Sequence, residues 1–424
     1  MEEWKEYRLG EVVAMKNGKK RPTEEGLYPV YGGNGIMGYV SSYNSENTII
    51  IGRVGAYCGN VYYCKGKCWV SDNAISVKTN DGFNIVFLFY LMQTLNLHNQ
   101  HIGGAQPLMT QDIIGNFNIR VPSLRIQDKI ALTLSLLDDK IVLNQKINSN
   151  LEEQAKALFK SWFIDFEPFK GGKFVDSELG KIPEGWKVLS LDEIANYLNG
   201  LAMQKYRPAT GEQNLPVLKI KELGQGYCDA SCDKCSSKVP SQYIVNDGDV
   251  IFSWSGTLMV DLWCGGICGL NQHLFKVSSE DYPKWFYLMW TVEHLNRFIH
   301  IAKDKAVTMG HIKREELHKA KVVVPTTPIF NKANMLFAPI VDEMINTRIS
   351  NRKLSVVRDT LLPKLMSGEI DVEHSKLLFI LRLSSILSSR KESIVAILCC
   401  MTLEGMLQII LSNVLRVIVL KTLP

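Results

Sequence analysis

The 424-residue sequence predicts a mixed α/β (α+β) protein of two duplicated globular modules, each followed by a long helix, with the two helices packed on each other. Three observations predict it. Leu134, Leu137, Ile141, Asn144, Asn148, Leu151, Ala155, Leu158 and Trp162 recur at alternating steps of three and four, which keeps one stripe of a helix facing a partner helix. Phe337, Ile340, Met344, Thr347, Asn351, Leu354, Arg358, Leu361 and Leu365 repeat that seam, each 203 residues after its counterpart. The order of strand-like and helix-like stretches before the first seam returns between the two.

In chain order, Trp4, Tyr7 and Leu9-Gly10-Glu11-Val12 open the first module. Tyr28–Tyr31 predicts a short strand ending at glycines, Thr48–Ile51 a buried strand and Ala74–Val77 another. Residues 85–97 predict an apolar helix, Gly103-Gly104-Ala105-Gln106-Pro107 a loop, and Phe117–Val121 a last strand. The first long helix follows Val121-Pro122-Ser123 and is predicted to stop at Pro168. From Ser123 to Phe166 it would run roughly 60–65 Å at about 1.5 Å per residue. Phe169-Lys170-Gly171-Gly172-Lys173 reads as the link between copies.

The second copy starts near Ile182-Pro183-Glu184-Gly185-Trp186. Leu191-Asp192-Glu193-Ile194 echoes the opening, Asp249–Phe252 the buried strand, Trp285–Met289 the apolar helix and Ala320–Val324 the last strand. Thr308–Leu317 stands where the Ala-Gln-Pro loop was. The second long helix follows Val324-Pro325-Thr326-Thr327-Pro328, with Thr327 as its cap and Pro328 in the first turn, and Gly368 can end it. A buried Asn in each seam, Asn148 and Asn351, fixes register at some cost in stability. The predicted divisions are 1–124, 125–168, 169–324, 325–370 and an atypical apolar tail, 371–424. In that tail Glu404, Gln408, Asn413 and Arg416 interrupt Ile394–Leu420, so an appended helix or sequence outside the ancestral reading frame is preferred to a membrane span.

Charge is nearly balanced, 48 Lys and Arg against 43 Asp and Glu, so any nucleic-acid surface must be local. Met1 is followed by acidic and aromatic residues rather than a basic then apolar run, and the cytoplasm is the expected compartment. Cys228, Cys232, Cys235, Cys264 and Cys268 could assemble zinc, but their spacing fits no regular ribbon; free thiols, and no metal, are expected. Cys58, Cys64 and Cys68 read as small apolar residues.

Catalytic signatures are scarce. Gly33-Asn34-Gly35-Ile36-Met37-Gly38 has dinucleotide-turn spacing, yet strand-like Tyr39–Tyr43 follows where a helix is required. No G-x-x-x-x-G-K-[ST] loop, adjacent prolines or magnesium-holding nuclease pattern occurs, and His273 and His311 lack motif partners, reading as polar loop residues. These features point to binding rather than catalysis, with no cofactor. Cations cluster in loops of both copies: Lys16, Lys19, Lys20, Arg21, Arg53, Lys65 and Lys67 in the first, and Lys205, Arg207, Lys219, Lys221, Lys313 and Arg314 in the second. Tyr31, Tyr39, Tyr43, Tyr206 and Trp254 lie among them. Such cations supply affinity for phosphate, whereas side chains on base edges supply sequence choice.

Across residues 1–372 the chain resembles the specificity subunit of type I restriction-modification enzymes. The resemblance rests on Pro29-Val30-Tyr31-Gly32-Gly33-Asn34-Gly35, on Gly103–Pro107, on the Val-Pro step before each long helix, and on Leu361-Leu362-Pro363-Lys364-Leu365-Met366-Ser367-Gly368-Glu369-Ile370. It implies two target recognition domains, each reading one half of a split double-stranded DNA site. It also implies an antiparallel coiled coil that separates them and docks two methyltransferase (modification) subunits, with restriction (endonuclease/translocase) subunits completing the complex. Methyl transfer from S-adenosylmethionine to adenine and ATP-driven cutting would then belong to the partners. The second copy departs from the pattern at Ala306-Val307-Thr308-Met309-Gly310, and so does the tail after Val372.

The expected DNA contacts are Lys19, Lys20, Arg21, Arg53, Lys205, Arg207, Lys219, Lys313 and Arg314. The expected seam contacts are Leu134, Leu137, Ile141, Asn148, Leu151, Leu158, Ile340, Met344, Asn351, Leu354 and Leu361. Two alternatives stay open: a stand-alone DNA adenine methyltransferase or fused restriction-methylation enzyme, which would itself bind S-adenosylmethionine, and a structural coiled-coil adaptor with no DNA contact.

Overall fold

The computed structural model describes residues 4–103, 107–304 and 312–372. The predicted tail beyond Val372, most of the Ala-Gln-Pro loop and Thr308–His311 lie outside the described residues. The chain divides into two compact units, one formed by residues up to Ile141 and from Lys353 onward, the other by Val142–Arg352.

The first unit runs β1 (Lys5–Arg8), α1 (Leu9–Val12), β2 (Val13–Asn17), β3 (Tyr28–Gly32), β4 (Gly35–Val40), β5 (Ser45–Gly52), β6 (Val61–Val70), β7 (Ala74–Thr79), α2 (Ile85–Thr94), α3 (Gln111–Gly115) and β8 (Asn118–Val121), followed by α4 (Leu124–Phe159). Six strands form one sheet in the order β2-β7-β5-β6-β3-β4, and β1 pairs separately and antiparallel with β8. Thr48-Ile49-Ile50-Ile51 makes β5 central, because a β-branched run without alternation is stable only when covered on both faces; all four side chains are fully buried. Gly33 and Gly35 of the false dinucleotide motif form the tight β3–β4 turn, and Gly38 lies within β4. Asn84 caps α2 by accepting from the Val86 and Phe87 amides. Tyr90 of α2 donates to Asp138 at 2.5 Å, and Arg358 donates to the same carboxylate at 2.7 Å. Burial and that carboxylate push the Tyr90 hydroxyl well above its ordinary range. Leu137 and Leu354 pack together nearby, with Ile141 and Leu361 against them.

The second unit repeats this plan with additions: β9 (Phe174–Ser177), β10 (Gly180–Pro183), β11 (Lys187–Ser190), α5 (Leu191–Ile194), β12 (Asn196–Asn199), β13 (Asn214–Leu218), α6 (Ile220–Gln225), β14 (Lys234–Ser236), β15 (Ile244–Val245), β16 (Val250–Ser253), β17 (Met259–Leu262), β18 (Cys268–Leu270), β19 (Leu274–Ser278), α7 (Lys284–Asp304), α8 (Glu315–His318) and β20 (Lys321–Val324). The last helix, α9 (Thr327–Met366), contributes its residues up to Arg352. Strand β11 pairs with β20 as β1 pairs with β8, and β16 is central in the order β12-β19-β16-β17. Ser190 and Glu193 close a capping box at α5, on the Leu-Asp-Glu-Ile stretch that echoes the chain's opening. A second sheet, β14-β13-β18-β15, repeats the pairing of β4-β3-β6-β5 in the first unit, with β13 parallel to β18 as β3 is to β6, but here it is separate from the sheet that holds β16.

Helix boundaries differ from expectation. The Thr326 carbonyl accepts from Phe330, so the cap lies one residue before Thr327. Helix α4 ends well before Pro168: past Phe159 it widens over Lys160–Ile164, and Phe166 turns left-handed at φ 51°. The cause is packing, because the widened turn brings Phe163 into contact distance of Phe159, Trp186, Trp285, Phe286 and Phe337.

In the second unit α4 and α9 run antiparallel, and two polar rungs join them. The Asn144 amide donates to Asn351 at 2.8 Å, and the Thr347 hydroxyl to Asn148 at 3.0 Å. The 203-residue repeat exchanges these rungs, since Asn351 corresponds to Asn148 and Thr347 to Asn144. Arg348 fastens α9 to Glu152 and Asp261, and Arg352 grips Asp247 through two bonds of 2.7 Å. Asn351→Ala is expected to destabilise this unit by about 1–3 kcal/mol, because it strands the buried Asn144 amide. Replacing both Asn144 and Asn351 by Leu should cost much less. Urea unfolding of the two variants checks this; equal losses would contradict the account.

Candidate nucleic-acid interface

In both units one strand end is built the same way. Strand β2 ends at Asn17-Gly18 and β12 at Asn199-Gly200. The next residues cross a tight turn, Ser71–Ala74 in one unit and Asn271–Leu274 in the other, through parallel bridges Lys19–Ser71 and Leu201–Asn271. The glycines are obligatory: a Cβ on Gly18 would lie 2.0 Å from the Ser71 carbonyl oxygen, and one on Gly200 2.2 Å from that of Asn271. Beside this crossing lie Asn17, Arg53, Asp72, Asn73 and Gln111 in the first unit. In the second lie Asn199, Trp254, Gln272, His273 and Arg314. Gln111 donates to Asn17 at 3.0 Å, and the Trp254 indole to Asn199 at 2.9 Å. Ser255 Oγ lies 3.0 Å from His273 Nδ1.

The nominated cations distribute unevenly. Lys19 and Arg53 share the first crossing: the Lys19 amide bonds Val70, and an Arg53 Nη donates to Asp72 O at 3.4 Å. Lys20 is exposed beside them, and exposed Arg21 reaches across to donate to Met37 O on β4. Arg314 lies at the second crossing, donates to Tyr197 O at 3.1 Å and stands 5.7 Å over the Phe275 ring; exposed Lys313 precedes it. Elsewhere, Lys205 and Arg207 are exposed beyond β12. Lys219 caps α6 and is ion-paired with Asp233, whose carboxyl it holds below the usual range. Its charge is therefore partly neutralised.

Cation counting passed over Asn17, Asp72, Asn73, Gln111, Asn199 and Gln272. Overlaying the two Asn-Gly dipeptides and the turns that follow β6 and β18 would have found them. Among the described residues no three His, Cys, Asp or Glu side chains are arranged to hold a metal ion. Cys235 and Cys268 are buried among apolar side chains, and burial raises both thiols. No helix among the described residues is long and apolar enough to cross a membrane.

The description "Type I restriction modification DNA specificity domain" matches residues 1–153 and 183–357, one match per copy. The MjaIX type I specificity subunit of Methanocaldococcus jannaschii is 30% identical over 329 residues, covering 74% of this chain and 76% of that protein. The HindI specificity subunit of Haemophilus influenzae is 22% identical, covering 63% and 72%. The fold is similar to the crystal structure of a type I restriction-modification S subunit from M. genitalium, with a TM-score of 0.56 at 16% identity over 86% of this chain and 96% of that one. The chain belongs to the family of type I restriction-modification specificity subunits.

Proposed function

We propose that this chain chooses the DNA sequence for a type I complex and performs no chemistry itself. Each module reads one half of a split double-stranded site, and the paired helices set the gap between halves. The observation that carries this reading is the duplication itself, two modules that each build the same strand-end crossing. Two similar modules suit two half-sites, as duplicated readers address split operators. Two modification subunits dock on the helices away from the shared seam. Exposed Val142 and Leu143 on α4 and Met335, Leu336 and Val356 on α9 supply apolar surface for that contact. The modification subunits methylate adenine, restriction subunits join the same assembly, and the complex works in the cytoplasm. The nine nominated cations contact the DNA, most of them through phosphate, with Lys219 contributing least.

Deleting the gene and mapping methyladenine across the source genome tests the reading. A split motif with a fixed gap is expected to lose its methylation. If no split motif changes, the proposal fails.

A further inference from the structure

The two modules keep one backbone at the strand-end crossing and present different side chains on it. The central strands correspond residue by residue: Ile49 pairs with Val77 as Val250 pairs with Val277, and Gly52–Ala74 ends one ladder as Ser253–Leu274 ends the other. The next residue is Arg53 in one module and Trp254 in the other. Their amides donate to the same place in the turn, Arg53 to Asn73 O at 2.9 Å and Trp254 to His273 O at 3.4 Å. Their carbonyls accept from Met109 at 2.8 Å and Ile312 at 3.2 Å, residues 203 apart. Both side chains are partly exposed. One backbone slot therefore carries two chemistries, as two half-sites of different sequence would require.

Those chemistries differ in kind. Arg53 has five N–H donors and uses one of them in a long 3.4 Å bond to Asp72 O, leaving a fork suited to the paired acceptors on the major-groove edge of guanine. The Trp254 indole N–H is committed to Asn199 and its ring packs against His273 and Phe275, so the partly exposed remainder offers apolar surface rather than a donor, and an apolar group reads the thymine methyl. We propose that Arg53 and Trp254 are equivalent base-reading residues, Arg53 addressing a G·C pair in one half-site and Trp254 an A·T pair in the other. Asn199 and His273, which touch Trp254, hold it in place. The proposal rests on the split-site reading above and goes beyond it by assigning residues and base pairs.

The test places Arg53→Ala, Arg53→Lys, Trp254→Ala and Trp254→Phe in the full-length chain, expressed in the deletion strain with its partner subunits, followed by methyladenine mapping. Arg53→Ala and Arg53→Lys should relax one G·C position in one half by roughly tenfold to a hundredfold and leave the other half and the gap unchanged, since Lys lacks the fork. Trp254→Ala should relax an A·T position in the other half only, and Trp254→Phe, which keeps an apolar ring, should largely retain it. An unchanged motif in both Ala variants overturns the inference while a motif lost on gene deletion upholds the split-site reading. Relaxation of both halves by one variant, or uniform loss of methylation with no change in motif, also overturns it. If gene deletion alters no split motif, reading and inference fall together. Should an Ala variant fail to accumulate, Arg53→Lys and Trp254→Phe decide: a uniform loss in both marks the positions as structural.

Discussion

Phe163→Ala is expected to destabilise the second unit by about 3–5 kcal/mol, the cost of truncating a buried aromatic in a core that cannot collapse into the space. Phe163 is 1% exposed. Its ring centroid lies 5.0 Å from Phe159, 5.8 Å from Trp285, 5.9 Å from Trp186 and 6.0 Å from both Phe286 and Phe337. These partners come from α4, α7, α9 and the segment before β11, so one side chain joins four parts of this unit. Aromatic pairs at such distances add to simple area burial. Urea unfolding followed by tryptophan fluorescence reads the loss directly, because Trp186, Trp285 and Trp290 all border the cluster. A loss below about 1 kcal/mol would mean that the widened turn at Lys160–Ile164 relaxes to refill the void.

DNA binding by the assembled complex is expected to weaken roughly a thousandfold or more between about 50 and 200 mM salt, if about six or more phosphates are contacted, because each contact releases condensed counterions. The residues then separate by slope. Reversing the charge of exposed Lys19, Lys20 and Arg21 together should flatten the slope of log affinity against log salt by about three, roughly one per lost phosphate contact. Lys219→Ala should change it little, because that ammonium is already paired with Asp233. A slope left unchanged by the triple substitution would remove those three cations from the interface. A large change with Lys219→Ala would show that the Asp233 pair opens on DNA.

Periodicity made the architecture readable in advance. The buried runs Thr48–Ile51 and Asp249–Phe252 announced central strands, and the repeated three-and-four spacing announced two helices in one register. Chemistry that depends on tertiary partners was less visible. Which Asn meets which polar side chain follows from antiparallel alignment, and Asn148 meets Thr347 rather than Asn351. The end of α4 depended on where Phe163 could pack, which proline spacing does not report. The sheet containing β13 and β18 matches β3 and the end of β6 in pairing but not in sequence, so the duplication was hidden there until the backbone bonds were compared. Positive charge located loops open to solvent, yet Lys219 and Arg314 already have intramolecular partners there. The strand-end positions carry mixed polarity and no motif; comparing the two copies at the level of backbone pairing brings them into register.

Gly18 and Gly200 have a consequence for how such a chain can change over generations. No side chain fits at either position, so the crossing is closed to mutation, while the neighbouring slot holds Arg53 in one copy and Trp254 in the other on the same backbone bonds. On the proposed reading, variation would be channelled to the slots around the crossing, and a population would sample new targets by single substitutions there. On the same reading duplication would double the benefit, since one copy would drift to a new preference while the other kept the old one.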